Sequence, residues 1–315
     1  MNDLPFIIDC DTGRDDALTI FAATARGLKL AGLVSSYGNV NIDQVTENCA
    51  RVCQFAQRAD MPIIRGASEP LQRYPSFESV IVPRQNKSGN GLCNIELPPA
   101  KNSQIGTDGV AEEFLRLHEK HGRMDYVILG PASNFAMLCQ HFSPDIHDYI
   151  GDVYMMGGKL SPLWEEMPGA DFNILCDPLA VKTIMDAGIV IHFVPMNFTW
   201  PIALTVPQLE ALRGSSEMAV MSRAIMLAHA QYFSPDPIFR FHDPCLIFVR
   251  GDKDHFREAH IDINLTEGAE FARLAEKADG YKAQIFTGDN ELRRAYAQKI
   301  LSALGFEDDE YDFAA

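Results

Sequence analysis

Short apolar runs alternate with longer stretches of helical periodicity along most of the chain. Phe6-Ile7-Ile8 reads as a first strand, and residues 15–26 as a helix with Ala17, Ile20, Phe21 and Thr24 on one stripe and Gly27 as its stop. Leu30 to Ser36 is a second strand. Residues 42–58 form a helix that buries Val45, Cys49, Val52, Cys53 and Ala56, and Pro62-Ile63-Ile64 is a third, short strand. After Gly66 some forty residues rich in Pro, Ser, Asn and Gly break the alternation, a pattern expected of a lid, a binding loop or a disordered stretch. It resumes with helix 107–121, strand 124–129, helix 132–141 and strand 152–156. An irregular stretch, 158–172, precedes helix 177–187 and strand 189–195. The last third is expected to be mostly helical, at 206–232 and 243–250, with strands near 259–265 and 282–286 and a final helix at 289–303.

Strands separated by helices imply parallel βαβ units with right-handed crossovers, whose ligands bind beyond the carboxyl ends of the strands. With no internal repeat, linker or composition break, residues 1–315 are expected to form a single α/β domain. Its sheet would be open, mostly parallel and Rossmann-like, flanked by helices, with a helical C-terminal third and a solvated acidic tail at 306–315. The charge balance narrows the function. Lys and Arg total 27 against 43 Asp and Glu, for a net charge of −16 and a pI near 4.9. Such a field disfavours nucleic acid and anionic membrane as partners and suits a hard cation. The beginning of the sequence does not read as a signal peptide and no apolar run is long enough for a membrane span. The seven cysteines are scattered in mostly apolar surroundings, as in a cytoplasmic protein, and Cys49 and Cys53 have no further Cys or His at zinc spacing.

The segment Asp9-Cys10-Asp11-Thr12-Gly13-Arg14-Asp15-Asp16-Ala17 carries the strongest chemical signal. Four carboxylates fall within eight residues where a buried strand opens into a helix. Like charges so close raise each other's pKa, and a helix N-terminus offsets only part of that. Asp15 and Asp16 acting as helix caps is the simpler account; four acids at a sheet's carboxyl edge favour a divalent cation, and oxygen ligands select Ca²⁺ or Mg²⁺ over zinc. His242-Asp243-Pro244 opens a later helix, where Asp243 is either an N-cap or one more metal oxygen, and His242 titrates in the range of a proton donor. The turn Leu129-Gly130-Pro131-Ala132-Ser133-Asn134 leaves a main-chain carbonyl at the sheet edge.

Taken in order, these segments resemble the nucleoside hydrolases, the inosine–uridine-preferring N-ribohydrolase family. The family's Asp-x-Asp-Pro-Gly-x-Asp-Asp-Ala is residues 9–17, with Thr12 in place of proline. Its Gly-Asn is Gly38-Asn39, its Gly-Pro-Leu-Thr-Asn turn is residues 130–134, and its Met-Gly-Gly is Met156-Gly157-Gly158. Its Glu-Phe-Asn is Asp171-Phe172-Asn173 and its His-Asp-Pro is residues 242–244. The resemblance implies a nucleosidase of nucleoside salvage, a dimer or tetramer acting on a small-molecule nucleoside. It implies a Ca²⁺ held by Asp11, Asp16, Asp243 and the carbonyl of Leu129, with Asp11 also the general base toward the bound water. Asp15 would bond a ribose hydroxyl, Asn39 would orient water and sugar, and Met156, Asp171 and Asn173 would line the ribose. An anionic cleft would favour the oxocarbenium-like transition state of N-glycosidic cleavage. His242 is the candidate donor to the departing base.

The chain departs from the family at several places. Lys87-Ser88-Gly89-Asn90-Gly91 stands where a histidine is common, Glu is shortened to Asp171, and Glu165 or Glu166 lies where an asparagine is expected. Asn197-Phe198-Thr199-Trp200 replaces Asp-x-Thr-His. These changes fall on the sugar 5′ end and the base. Asp9-Cys10-Asp11-Thr12 is also similar to haloacid-dehalogenase-type Mg²⁺ phosphohydrolases, though Gly13 and the Asp15–Asp16 pair have no place there. A calcium-containing nucleoside-binding protein with little turnover is the non-enzymatic alternative. Phe233, Phe239, Phe241 and Trp200 could stack on a base or pack as core.

Overall fold

All five residues of β1 (Phe6–Cys10) are buried, because this strand lies inside the sheet with covered faces on both sides. A computed structural model describes residues 4–101, 103–232 and 237–307. Alternate β1 side chains enter opposite cores, as a two-residue period requires. Phe6, Ile8 and Cys10 meet one face with helices α1 (Arg14–Ala25), α2 (Ile42–Phe55), Glu217–Tyr232 and Asn290–Ala303. Ile7 meets the other with α4 (Val110–His121), α5 (Ser133–His141) and Pro178–Asp186. The result is a three-layer α/β fold.

The chain runs outward from β1 in two directions. One half of the sheet is β2 (Leu30–Ser35), β3 (Pro62–Arg65) and β4 (Gln104–Gly106). The other is β5 (Met124–Ile128), β6 (Ile150–Met156), β7 (Ile191–Val194) and β12 (Tyr281–Phe286), all parallel. The order β4-β3-β2-β1-β5-β6-β7-β12 therefore reverses between β1 and β5. Loops leave both strands in opposite directions there, opening a crevice at their carboxyl ends. The aspartate segment and the turn after β5 flank that crevice.

The sheet is as expected in class, and it differs in three details. The last third is less helical than its pattern suggests: besides the two expected strands, β10 (Phe256–Ile263) and β12, it holds β11 (Leu274–Glu276), which with β10 extends the sheet antiparallel, and β8 (Ala203–Thr205), which pairs with β9 (Ile238–Arg240). The expected helix 206–232 is two helices, Val206–Ala211 and Glu217–Tyr232. At the break a Cβ on Gly214 would meet Ala219 and the Gly305 carbonyl at 2.8 Å, and Ser216 caps the second helix by accepting the Ala219 N–H. The stretch after Gly66 is not a structureless lid. A π-helical turn, Phe77–Ile81, continues into α3 (Val82–Lys87), with Phe77 and Ile81 buried against Tyr37. Of the acidic tail, Phe306 is buried and Glu307 bonds the Arg213 carbonyl; residues 308–315, like Phe233, lie outside the described residues. Among the described residues no helix is long and apolar enough to cross a membrane.

Candidate active site

The segment after β1 is held from behind. Asn48 of α2 donates to the Thr12 carbonyl at 2.9 Å, and the Thr12 hydroxyl meets the Cys49 thiol at 2.9 Å. Thr12, where the family has proline, thus plugs the loop onto α2. Gly13 caps α1, and Asp16 reaches back one turn so that its Oδ2 accepts the Gly13 N–H at 2.8 Å. The capping account of Asp16 therefore holds for one oxygen only. Its Oδ1 is buried and, among the described residues, has no hydrogen-bond partner.

Asp243, eight strands of chain later, comes to the same place. It is the first residue of a 3₁₀ turn, Asp243–Cys245, packed against α1, and its side chain caps nothing. Oxygens of Asp15, Asp16 and Asp243 lie within 4.8 Å of one another. The Asp243 carboxyl is close enough to hydrogen-bond that of Asp15, an arrangement that needs a shared proton or a cation. Burial first, then the neighbouring acids, pushes Asp16 and Asp243 well above the usual carboxylate range. Oxygen donors, one of them orphaned and buried, fit a hard divalent ion.

Asp11 borders the same cavity, of about 340 Å³. Its Oδ2 accepts the Asn39 N–H at 2.6 Å, and burial pushes its pKa up to about 7. Glycines crowd it on both sides: a Cβ on Gly38 would sit 2.1 Å from Oδ2, and one on Gly130 would sit 3.0 Å from Oδ1. Gly38→Ala must swing this carboxylate away from Asn39. Turnover is expected to fall on the order of 10²-fold, since a displacement near 1 Å has that effect, in steady-state assays of a variant that still folds.

Asp9 points to the opposite core, where Tyr126 and Asn134 donate to its two oxygens at 3.0 and 2.9 Å. Burial raises its pKa to about 7. Asn134 also donates to the Ser35 carbonyl and accepts the Ala67 N–H, so the last residue of the Gly-Pro turn brackets the ends of β1 and β2. Asp9→Ala leaves two buried donors short of an acceptor and is expected to lower unfolding free energy by about 1–3 kcal/mol in urea titrations.

Across the cavity, Asn173 donates to the carbonyls of Leu129 and Met156 at 2.6 and 3.2 Å, tying the ends of β5 and β6. The Leu129 carbonyl keeps a second lone pair. Asp171 turns its Oδ1 onto the Asn173 and Ile174 N–H groups and caps the helix Phe172–Cys176. Neither Glu165 nor Glu166 lines the cavity; Glu165 pairs with Arg273 on the surface. Asn197 replaces aspartate for a visible reason. Its amide both accepts from and donates to the backbone of Leu160 at 2.9 Å, which a carboxylate could not do.

His242 completes the wall, its Nδ1 hydrogen-bonded to Thr199 Oγ1 at 2.8 Å. Burial, aided by Arg240 and Arg84 and opposed by Asp15, lowers its pKa to about 4. That shift favours the neutral imidazole, whose ring N–H can still donate a hydrogen bond. Phe239 lines the cavity while Phe241 is core. The cleft is also less anionic than the sequence suggests: Arg14, Arg84, Lys159 and Arg240 line it as well. Lys87, one turn beyond Arg84, does not line it. Only Arg14, inside the aspartate segment, had a sequence position that pointed here.

A pyrimidine-specific ribonucleoside hydrolase, RihA, of Salmonella schwarzengrund is 30% identical over 253 residues, 78% of each chain. The protein of the same description from Shewanella oneidensis is 28% identical over 249 residues, 77% of this chain and 76% of its own. Among solved structures, a plant nucleoside hydrolase superposes with a TM-score of 0.81 at 22% identity, covering 96% of this chain and 99% of that one. A purine-preferring ribonucleoside hydrolase from Gardnerella vaginalis gives 0.78 at 22%, covering 95% and 99%. The family of inosine-uridine preferring nucleoside hydrolases matches residues 6–295. The phosphohydrolase alternative has no support in these matches, and the chain belongs to the inosine–uridine-preferring nucleoside hydrolase family.

Proposed function

We propose that this protein hydrolyses the N-glycosidic bond of a ribonucleoside to free base and ribose, with Ca²⁺ held by Asp11, Asp16, Asp243 and the Leu129 carbonyl. The observation that carries the reading is the convergence of Asp15, Asp16 and Asp243 within 4.8 Å, with a buried Asp16 oxygen lacking any partner among the described residues. Such an ion supplies Lewis-acid polarisation of the water nucleophile and an anchor for sugar hydroxyls.

The chain's own groups do the rest. Asp11, its Oδ2 held by the Asn39 N–H, is the group that would take a proton from the attacking water. Asp15 and Asn39 hold the ribose diol, and Met156, Asp171 and Asn173 fix the sugar's other side. Carboxylates set around the ribosyl carbon stabilise the positive charge that develops there. His242 serves the departing base as a neutral hydrogen-bond donor. Six of the seven free cysteines are buried, which supports a reducing, cytoplasmic setting, and release of free base from a nucleoside is a reaction of nucleoside salvage.

Metal analysis of purified protein, coupled to a reducing-sugar assay on uridine, cytidine, inosine and guanosine, tests this. One divalent ion per chain and ribose release abolished by a chelator are expected. Tight nucleoside binding without ribose release, or phosphate release from a phosphomonoester alone, would overturn it.

A further inference from the structure

The hydrogen bond behind His242 has a direction, and that direction decides what the ring can do. Thr199 ends the short helix Met196–Thr199 after β7 and is fully buried. A threonine in a helix can turn its hydroxyl onto the carbonyl four residues back. Here that carbonyl, of Pro195, is already taken by the N–H groups of Phe198 and Thr199 at 2.9 and 3.3 Å. Among the described residues the hydroxyl has a single partner, Nδ1 of His242 at 2.8 Å.

A hydroxyl carries one hydrogen, and a buried one needs an acceptor. If Nδ1–H donated to Oγ1, the hydroxyl hydrogen would have none, and an imidazolium would leave it in the same position. Turning the ring over would set a carbon against the hydroxyl. Only a neutral ring that accepts at Nδ1 satisfies it. The ring's one N–H is then on Nε2, which among the described residues bonds no protein group, on a side chain that lines the cavity. The scaffold holds both partners in place. Arg293 donates to the carbonyls of Asn197 and Phe198, each at 3.2 Å, and the Asn197 amide is tied to Leu160. Phe198 packs edge-on against Phe286 and Tyr296. The Phe241 N–H bonds the Ile202 carbonyl at 2.9 Å, so the chain before His242 runs beside the chain after Thr199.

Resting on the hydrolase reading above, we infer that Thr199 is a positioning residue for departure of the base: its hydroxyl fixes His242 in the tautomer that presents Nε2–H to the leaving group. As the C1′–N bond breaks, its electron pair stays with the base. The water oxygen bonds to C1′ while one water proton passes to Asp11. The Nε2–H bond stabilises the anionic base, which takes up a proton from solvent as Asp11 gives its own up. In the other tautomer a nitrogen lone pair would face that anion and repel it.

The test pairs two kinds of substrate with two variants. A nucleoside's base needs help to leave, whereas para-nitrophenyl riboside releases an anion that is stable by itself. Thr199→Val keeps the shape and removes the hydroxyl. It is expected to lower kcat, on whichever of inosine and uridine the parent cleaves, by about tenfold to a hundredfold, within what a positioned proton donor contributes. KM should change by less than about threefold, and the rate on para-nitrophenyl riboside should stay within about threefold of the parent. Thr199→Ser keeps the hydroxyl and should restore most of the nucleoside rate. NMR spectra of protein labelled at the histidine nitrogens, with the His242 signals assigned by their loss in His242→Gln, should place the parent's proton on Nε2. A proton on Nδ1, an equal loss on both kinds of substrate, or a Thr199→Val enzyme as fast as the parent on nucleosides would overturn the inference and leave the hydrolase reading standing. If the parent releases ribose from no substrate, that reading fails instead. The spectra then decide the tautomer alone, a proton on Nε2 that is lost from that site in Thr199→Val upholding it and a proton on Nδ1 in the parent overturning it.

Discussion

Asp11→Ala and Asp243→Asn are each expected to reduce ribose release by at least about 10³-fold. A general base alone contributes roughly 10²–10⁴-fold, and both residues border the proposed ion as well. The two variants should differ in stability from most active-site losses. Asp16 and Asp243 are buried beside like charges, and both are pushed upward by that burial and then by Asp11 and Asp15. Asp243→Asn removes one of those charges without changing shape, so the metal-free variant should melt no lower than the metal-free parent. Asp15→Ala separates two roles. Its carboxylate belongs to the close trio, while Asp11 spends one oxygen on the Asn39 N–H. If Asp15 binds sugar only, its variant keeps the metal and loses turnover. Metal content and kcat measured on all three variants decide this. Metal retained with a near-normal rate in Asp11→Ala would remove that residue from the site.

How much of this was legible in the sequence depends on how far each signal reaches along the chain. β1 and the helix after it could be read because Phe6-Ile7-Ile8 is apolar on both faces and the acids follow at once. The long strands β2, β5 and β6 and the stripe of α2 were legible for the same local reason. Three-residue strands such as β4, β8, β9 and β11 contain too few positions to show a two-residue period. The break at Gly214 was hidden because it answers to Ala219 and the Gly305 carbonyl, the second of which is far away in sequence. The acid cluster could be assembled from Asp11, Asp16 and Asp243 only through the family resemblance, since spacing says nothing about meeting in space. The arginines were missed for that reason too. Arg84 lies in a stretch without periodicity, and Arg240 on a strand too short to recognise. Net charge pointed the wrong way locally, because an acidic protein can still gather its few arginines in one wall.

The stability of the metal-free protein should fall as pH rises from about 4 to above 7, and the divalent ion should suppress that fall. Asp9 and Asp11 have folded-state values near 7 against an ordinary 3.8, and Asp16 and Asp243 are raised well above theirs, in each case chiefly through burial. Below about pH 4 these groups are protonated both folded and unfolded, and their burial is least unfavourable. Between about pH 4 and pH 7 the unfolded chain releases protons that the folded chain still holds, so stability drops with each unit. Above that window the folded protein must bear several buried charges a few ångströms apart. A bound doubly charged ion gives Asp11, Asp16 and Asp243 a partner in place of a proton, and it adds the stabilisation of any ligand that prefers the folded state. Melting curves at pH 5 and pH 8, with chelator and with added Ca²⁺, separate these terms. The chelated protein should melt lower at pH 8 than at pH 5, and the rise on adding Ca²⁺ should be larger at pH 8. A chelated protein equally stable at both values would mean that these carboxylates are not buried together. A rise on adding Ca²⁺ that is no larger at pH 8 would mean that calcium is not their partner.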